Sequence, residues 1–357
     1  MAQALKLAEK GLGFVSPNPM VGAVIVKNGI VVAEGWHRCF GGDHAEIEAL
    51  KKAGAKAKGA TLYVTLEPCH HYGKTPPCVN AIIASGIKRV VVAMKDPNPL
   101  TNGKSLAKMK KAGLQVSVGI LRDDAQKLNE SFITYIRAKK PFVVLKMAQT
   151  LDGKIASSTG NSKWITDEKT RIFSKDQRKT FDAILVGINT ILKDDSQLNA
   201  PGKKNFKKII LDTTLKIALK ARLLAGTSAA NCIIATTKKH NKNKMKQLKD
   251  KGAEVIVCPL KDKGVDLKWL MRELARRSIG RVLIEGGSHV AGSALKAKVV
   301  DKIQIYLAPK ILGDQNALSA ISGLNVLLVD QAVQLKDVQI TQFNSDILIE
   351  GYVHRNN

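Results

Sequence analysis

The sequence predicts an α/β protein of two domains, and three observations carry that reading. The first is size: at 357 residues the chain exceeds one comfortable core, since domains usually run about 100 to 200 residues. The second is alternation. Val- and Ile-rich β-like runs are separated by stretches with helical apolar spacing, which implies a partly parallel sheet whose strands are joined by helices. The third is a break: around "RAKKPFVVLKMAQTLDG" the chain crosses a basic, proline-marked joint and the pattern restarts. The boundary falls near Lys140, giving domains of residues 1–140 and 141–357.

The elements follow in order. "MVGAVIVKNGIVVAEG" reads as two strands around a turn at Asn28-Gly29, where glycine tolerates positive φ. "HAEIEALKKAGAKA" has helical periodicity, "ATLYVTLEPC" is a strand, "PPCVNAIIASGI" a helix and "KRVVVAMKDP" another strand. "SLAKMKKAGLQVSVGI" adds a helix and a strand. Past the joint the same logic gives "FVVLKMAQ", "TRIFSKDQRKTF", "AILVG", "KKIILDTT", "NCIIATT", "AEVIVCPL", "LKWLMRELARR", "RVLIEGG" and "KIQIYLAP". Residues 201–208, "PGKKNFKK", and 238–251 read as lysine-rich loops or exposed helix. The two halves are unlike each other, and there is no internal repeat.

Composition narrows the function classes. Hydrophobic residues at 45%, charged residues at 24% and 11 prolines describe an ordinary globular chain. No stretch approaches the roughly 18 to 20 apolar residues of a membrane span, and the N-terminus lacks a secretory apolar segment, so a cytoplasmic location is expected. Five cysteines, at 39, 69, 78, 232 and 258, are too few and too irregular for a disulfide framework, and metal or catalysis is the better use of any cluster. A formal charge of +27 admits nucleic acid, an anionic membrane surface or phosphate-bearing ligands. Lysines occur in ones and twos, and at 4% aromatic there is little to stack bases on, which favours a solvated lysine-rich surface with local phosphate sites.

The densest chemistry is "TLEPCHHYGKTPPC", residues 65–78. Zinc takes one imidazole and two thiolates, here His44, Cys69 and Cys78, leaving a fourth position for water whose pKa then falls toward about 7. Glu46 stands two residues from His44, placed to shuttle protons between that water and a leaving amine. His-x-Glu followed by Pro-Cys and a second cysteine is the zinc deaminase signature, with eight residues between the cysteines instead of two. Pro76 and Pro77 suit a helix starting at Cys78. Cys39 reads as structural.

"PNPMVGAVIVKNG", "HAEIEAL", "TLEPCHHYGKTPPC" and "KDPNPL" resemble the deaminase half of the bifunctional riboflavin-biosynthesis deaminase/reductases. "LKMAQTLDGKIASSTGNSKWIT", "DAILVGINTILKDD", "KIILDTT" and "VLIEGGSHVAGSAL" resemble the reductase half, so the likeness runs from residue 2 to near 350. It implies a cytidine-deaminase-like domain followed by a dihydrofolate-reductase-like domain. It further implies zinc and NADPH as cofactors and a phosphoribosyl pyrimidine as substrate, with no role for nucleic acid or membrane and room for a homo-oligomer. Asn18, His37, His71 and Lys74 would then contact the pyrimidine and its ribose phosphate, with neither His70 nor His71 on zinc.

In the second half there is no Gly-x-Gly-x-x-Gly, so an ordinary Rossmann site is unsupported. Gly286 and Gly287 instead follow a strand and precede a helical stretch whose amides can hold a phosphate. The resemblance puts cofactor at Ala148, Trp164, Thr190, Asp194, Thr213 and the run Gly287, Ser288, His289, Val290, Ala291, Gly292 and Ser293. It puts substrate at Ser162, Arg178 and Leu198, with Glu285 nearby. Relatives carry an arginine where this chain has Pro201, and Lys203 or Lys204 is the expected replacement. Two other readings compete: a deaminase whose second domain has lost its activity, and a nucleic-acid base deaminase, which the charge favours and the aromatic poverty disfavours.

Overall fold

A computed structural model describes residues 1–72 and 76–353. The chain forms two compact units, Met1–Lys140 and Pro141–Asn357.

The first unit runs α1 (Ala2–Glu9), β1 (Gly22–Lys27), β2 (Ile30–Trp36), α2 (Ala45–Ala53), β3 (Thr61–Leu66), α3 (Cys78–Ala84), β4 (Arg89–Met94), α4 (Lys104–Lys111), β5 (Gln115–Val118), α5 (Arg122–Leu128) and α6 (Glu130–Ala138). The sheet order is β2-β1-β3-β4-β5. β1 pairs antiparallel with β2 and β3, while β3, β4 and β5 are parallel. The hairpin turns at Asn28 and Gly29, both with positive φ (51° and 77°), the combination a tight two-residue turn requires. Gly35 on β2 is a close approach: a Cβ there would stand 2.3 Å from the Ala45 carbonyl. That contact docks the first turn of α2 hard against the sheet and fixes where His44 and Glu46 emerge.

The second unit runs β6 (Phe142–Thr150), β7 (Lys154–Ala156), α7 (Glu168–Gln177), β8 (Ala183–Gly187), α8 (Ile188–Asp194), β9 (Lys207–Leu211), β10 (Cys232–Thr236), α9 (Lys242–Asp250), β11 (Glu254–Val257), β12 (Leu260–Lys261), β13 (Gly264–Val265), α10 (Leu267–Arg276), β14 (Arg281–Glu285), α11 (Ser288–Lys296), β15 (Lys302–Ala308), β16 (Leu318–Ser319), β17 (Leu335–Phe343) and β18 (Asp346–Val353). Nine of these strands form one sheet, ordered β11-β10-β9-β8-β14-β6-β15-β18-β17. It is parallel from β11 to β15 and antiparallel at β18 and β17.

Both faces of the parallel part are covered, so its strands read as near-continuous apolar runs. Val143, Leu145 and Met147 pack on one side with Leu270 and Leu274 of α10, and Phe142 and Val144 on the other. Register then places Lys146 of β6 beside Glu285 of β14, and Ala148 beside Tyr306 of β15.

Two expectations need correction. Residues 201–208 are not all loop: Lys207 and Lys208 begin β9, and Lys208 is buried, donating to Asn199 Oδ1 (2.9 Å) and Ser228 Oγ (2.7 Å). Cys39 is exposed, so it packs into no core. Beyond the elements read from sequence, β17 is exposed along nearly its whole length, whereas β18 is half-buried against β15.

Candidate active sites

The first site gathers on three segment ends. His44 is the extended residue immediately before α2, Cys69 lies on the loop after β3, and Cys78 is the first residue of α3, preceded by Pro77. The His44 Nδ1 atom stands 3.1 Å from Cys78 Sγ and 3.5 Å from Cys69 Sγ. The Cys78 backbone N–H donates to Cys69 Sγ at 3.1 Å. All three ligand atoms lie within 4.8 Å of one another. One imidazole and two sulfurs around a common point are the donors a tetrahedral zinc takes with one position left open, so these residues fit the ion.

The local electrostatics agree. Hydrogen bonding from the Cys78 side chain, and then from His44, holds the Cys69 thiol well below its ordinary range. The Cys78 thiol is pushed up by Cys69 and by burial, so the pair keeps one thiolate. Thiolate is the form that binds metal.

Glu46, on the first turn of α2, is 3% exposed. Burial pushes its carboxyl up to about 7, against the pull of His44. A carboxyl in that range can both take and return a proton near neutrality.

The other residues expected here fall into two groups. Asn18 Nδ2 lies 3.3 Å from His37 Nε2, the His37 Nδ1 faces the Asp43 carbonyl at 2.9 Å, and the His37 and His44 rings meet edge to face at 5.3 Å. These three polar side chains are therefore contiguous. His71 is 3.4 Å from Thr101 Oγ1, on the loop after β4, and belongs with His70 to no metal cluster among the described residues. Lys74 lies outside the described residues.

One residue was missed. Glu67 is buried and accepts from the Asp96 and Gly103 backbone N–H groups (3.2 and 2.9 Å) and from Ser105 Oγ (2.8 Å). It ties the cysteine-bearing loop to the loop carrying Asp96 and Thr101. Its signal was its place directly before Pro68-Cys69, where an acid folded inward needs donors from neighbouring loops, here two backbone N–H groups and the Ser105 hydroxyl.

The second site is a cleft of about 1530 Å³ beyond the ends of β6, β8, β9 and β14. Ala148, Ser162, Trp164, Arg178, Thr190, Asp194, Leu198, Thr213, Glu285, Gly287 to Ala291 and Ser293 all line it. Gly292 does not. A Cβ there would come 1.8 Å from the Ser322 carbonyl, so this glycine lets α11 pack against the 322 loop.

Gly286 and Gly287 have φ of +72° and +82°, leaving the start of α11 bare toward the cleft. Ser288 Oγ is buried there without a hydrogen-bond partner. Exposed amides and an orphaned hydroxyl at a helix start fit the phosphates of a dinucleotide. Trp164 is 62% exposed, with the Arg171 guanidinium stacked on its ring at 4.2 Å.

The floor of the cleft holds a charge cluster. Arg178 Nε and its NH2 group donate to the two carboxylate oxygens of Glu285 at 2.9 and 2.8 Å, and NH1 donates to the Asn199 carbonyl at 3.2 Å. Burial opposes the Glu285 charge, yet Lys146 and Arg178 hold its carboxyl below the ordinary value. Burial lowers Lys146, with Glu285 pulling the other way.

Lys146 was not identified from sequence. Nothing in "FVVLKMAQ" distinguishes it from a lysine at a strand edge, and only the placing of β6 between β14 and β15 turns it into the cleft. The expected replacement for the arginine at position 201 also fails. Lys203 is held by the Phe181 carbonyl and by Asp182 (3.7 Å), and neither it nor Lys204 lines the cleft.

Comparison with known proteins finds relatives of both units. Residues 1–94 match the cytidine and deoxycytidylate deaminase zinc-binding region, and residues 141–349 match the RibD C-terminal domain. The riboflavin biosynthesis protein RibD of Aquifex aeolicus is 45% identical over 98% of this chain and 96% of its own, and that of Escherichia coli is 36% identical over 98% and 97%. A diaminohydroxyphosphoribosylaminopyrimidine deaminase/5-amino-6-(5-phosphoribosylamino)uracil reductase from Thermotoga maritima superposes with a TM-score of 0.85 at 39% identity, covering 99% and 97% of the two chains. RibD from Acinetobacter baumannii gives 0.89 at 36% identity, covering 99% and 98%.

Proposed function

The chain belongs to the RibD family of riboflavin biosynthesis, bifunctional proteins pairing a zinc-binding deaminase with an NADPH-using reductase, and from that premise we propose which residues carry each step. The first unit deaminates 2,5-diamino-6-(5-phosphoribosylamino)pyrimidin-4-one. The second reduces the ribosyl group of the product to ribityl. The observation that carries the reading is the convergence of His44, Cys69 and Cys78 beside a buried Glu46.

His44, Cys69 and Cys78 would hold zinc, which would supply the Lewis acidity that makes water a nucleophile at neutral pH. Glu46 takes a proton from the attacking water and gives it to the exocyclic nitrogen. The carbon–nitrogen bond breaks, ammonia leaves, the oxygen stays on the ring as the new carbonyl, and the second proton of the water ends on the adjacent ring nitrogen. Asn18 and His37 are hydrogen-bonding groups suited to the ring edge, and their mutual contact fixes both orientations.

A bound NADPH would supply the hydride that reduces the ribosyl group, in its open-chain imine form, in the second unit. Gly286, Gly287 and Ser288 would hold the cofactor phosphates. Lys146 is the cation placed to protonate the imine nitrogen, and Glu285 keeps it charged inside a cleft that would otherwise favour the neutral amine. Arg178, locked by Glu285 and the Asn199 carbonyl, sets the position of that carboxylate.

A coupled assay tests the assignment. With the diaminopyrimidine nucleotide as substrate, ammonia should appear first and NADPH consumption should follow. Ammonia release without NADPH loss would favour a second unit that has lost its activity, and the Pro201 position is where that loss would originate.

A further inference from the structure

We propose, on the reductase reading of the second unit with Lys146 as its proton donor, that Tyr306 is a positioning residue: the face of its ring carries the Lys146 ammonium and keeps it turned into the cleft.

The register sets up the contact. Lys146 on β6 lies opposite Glu285 of β14 on one side and Gln304 of β15 on the other. Tyr306 stands two residues past Gln304, so it shares a face of the sheet with Lys146. The residue directly opposite Tyr306 is Ala148, whose single methyl leaves the ring room to lean over the lysine. Lys146 Nζ sits 5.3 Å from the centre of the ring, inside the range where an aromatic face attracts an ammonium. Both side chains, with Arg178 and Glu285, line a side pocket of about 230 Å³ that shares a wall with the main cleft.

The ring is fixed at its far end. Tyr306 is buried, and its hydroxyl meets Ser174 on α7. Burial, with Glu350 and Glu285 adding to it, pushes the phenol above its ordinary range, so the ring stays neutral wherever Lys146 is charged.

Lys146 needs this support. Burial opposes its charge, Glu285 favours it, and the Arg178 guanidinium opposes it again. Both Glu285 oxygens already accept from Arg178, and Lys146 makes no hydrogen bond or ion pair among the described residues. The other charged groups around the side pocket, Arg171 and Lys175, are cations. A second carboxylate would steady the ammonium, but it would also occupy an N–H that the imine nitrogen needs. A ring face stabilises the charge and leaves the three N–H groups of the ammonium for the substrate.

Two readouts on the full zinc-loaded chain test the contact. Competitive labelling with acetic anhydride over a pH series, read by peptide mass spectrometry without NADPH, gives the midpoint at which Lys146 loses its proton. Steady-state NADPH oxidation with the deaminated substrate gives the alkaline limb of the rate. Tyr306→Phe keeps the ring face and should leave both unmoved. Phenylalanines carrying one, two and three ring fluorines at position 306 keep the shape while draining the face of negative charge. With them, midpoint and limb should fall stepwise, by about one pH unit in total. Oxidation below the limb shows that the second unit of each variant is intact. A midpoint that ignores fluorination overturns the proposal. So does one that falls as far in Tyr306→Phe, which would give the role to the hydroxyl. A midpoint that moves while the limb stays put would strip the contact of any part in the reaction. Absence of NADPH oxidation by the unaltered chain at every pH removes the reductase reading and the positioning role with it, while the labelling midpoint still shows separately whether the ring holds the ammonium.

Discussion

Replacing Glu285 with Gln should destabilise the second unit in a way that depends on pH. The carboxylate accepts from Arg178 through two contacts of 2.9 and 2.8 Å, and the two side chains are only 13% and 16% exposed. Removing one partner of such a pair leaves an uncompensated buried charge and costs about 3 to 5 kcal/mol. Lys146 loses its counterion in the same stroke. For a domain of this size about 2 to 4 °C of Tm goes with each kcal/mol, so the second unit should melt about 6 to 20 °C lower at neutral pH. The pH dependence has a definite sign. Burial already sets Lys146 below its ordinary value in the folded chain, and the variant lowers it further. Between that folded value and about 10.4 the unfolded chain binds more protons, so stability rises with pH. Raising the pH from 7 to 9.5 should therefore recover part of the loss as Lys146 becomes neutral, while Arg178 stays charged and keeps the rest. Calorimetry of both proteins at the two pH values reads the effect. A loss below about 1 kcal/mol, or an identical loss at both, would refute the view that Glu285 is there to balance two buried cations.

Three further outcomes are expected. Glu46→Gln should keep about one zinc per chain while slowing ammonia release by about 10² to 10⁴-fold, whereas Cys69→Ser should lose the metal and the deaminase together; both should leave NADPH oxidation intact, as zinc analysis beside the two rate assays will show. The double variant Lys203→Ala, Lys204→Ala should have an unchanged reductase KM, since Lys203 is engaged with Phe181 and Asp182 away from the cleft; a raised KM would return these lysines to the substrate site. Gly292→Ala should destabilise the second unit by about 1 to 3 kcal/mol, the range for overpacking, because its Cβ would overlap the Ser322 carbonyl; denaturant titration decides, and no change would mean that the 322 loop yields freely.

What was legible in the sequence was local. Asn28-Gly29 fixes its hairpin through backbone preference, and Pro77 ahead of Cys78 starts α3 where an N–H is not needed. His44, Glu46, Cys69 and Cys78 announce themselves because metal chemistry restricts residue type and spacing. The glycine pair before α11 is readable for a similar reason, since few residues accept its φ values.

What was hidden depends on which strands become neighbours. Lys146 and Glu285 face each other through the register of β6 with β14, and Tyr306 reaches the same pocket through β15. No short window contains those pairs. Lys203 shows the opposite error: proximity in sequence to position 201 suggested a role that the Asp182 carboxylate had already claimed. Gly292 was carried along by neighbours that do line the cleft, although its own surroundings are the 322 loop.

The strand order of the large sheet also bears on how the protein is made. β6 is the first strand of its unit to leave the ribosome, yet its register partners begin at Arg281 and Lys302. Its apolar Phe142–Leu145 run must wait, uncovered, while most of the unit is synthesised. Pairing across such sequence distances is slow, and the waiting chain is prone to aggregate. Nascent chains arrested before residue 281 should thus be clients of holding chaperones, and the first half, whose sheet needs nothing beyond β5, should by then have closed on itself.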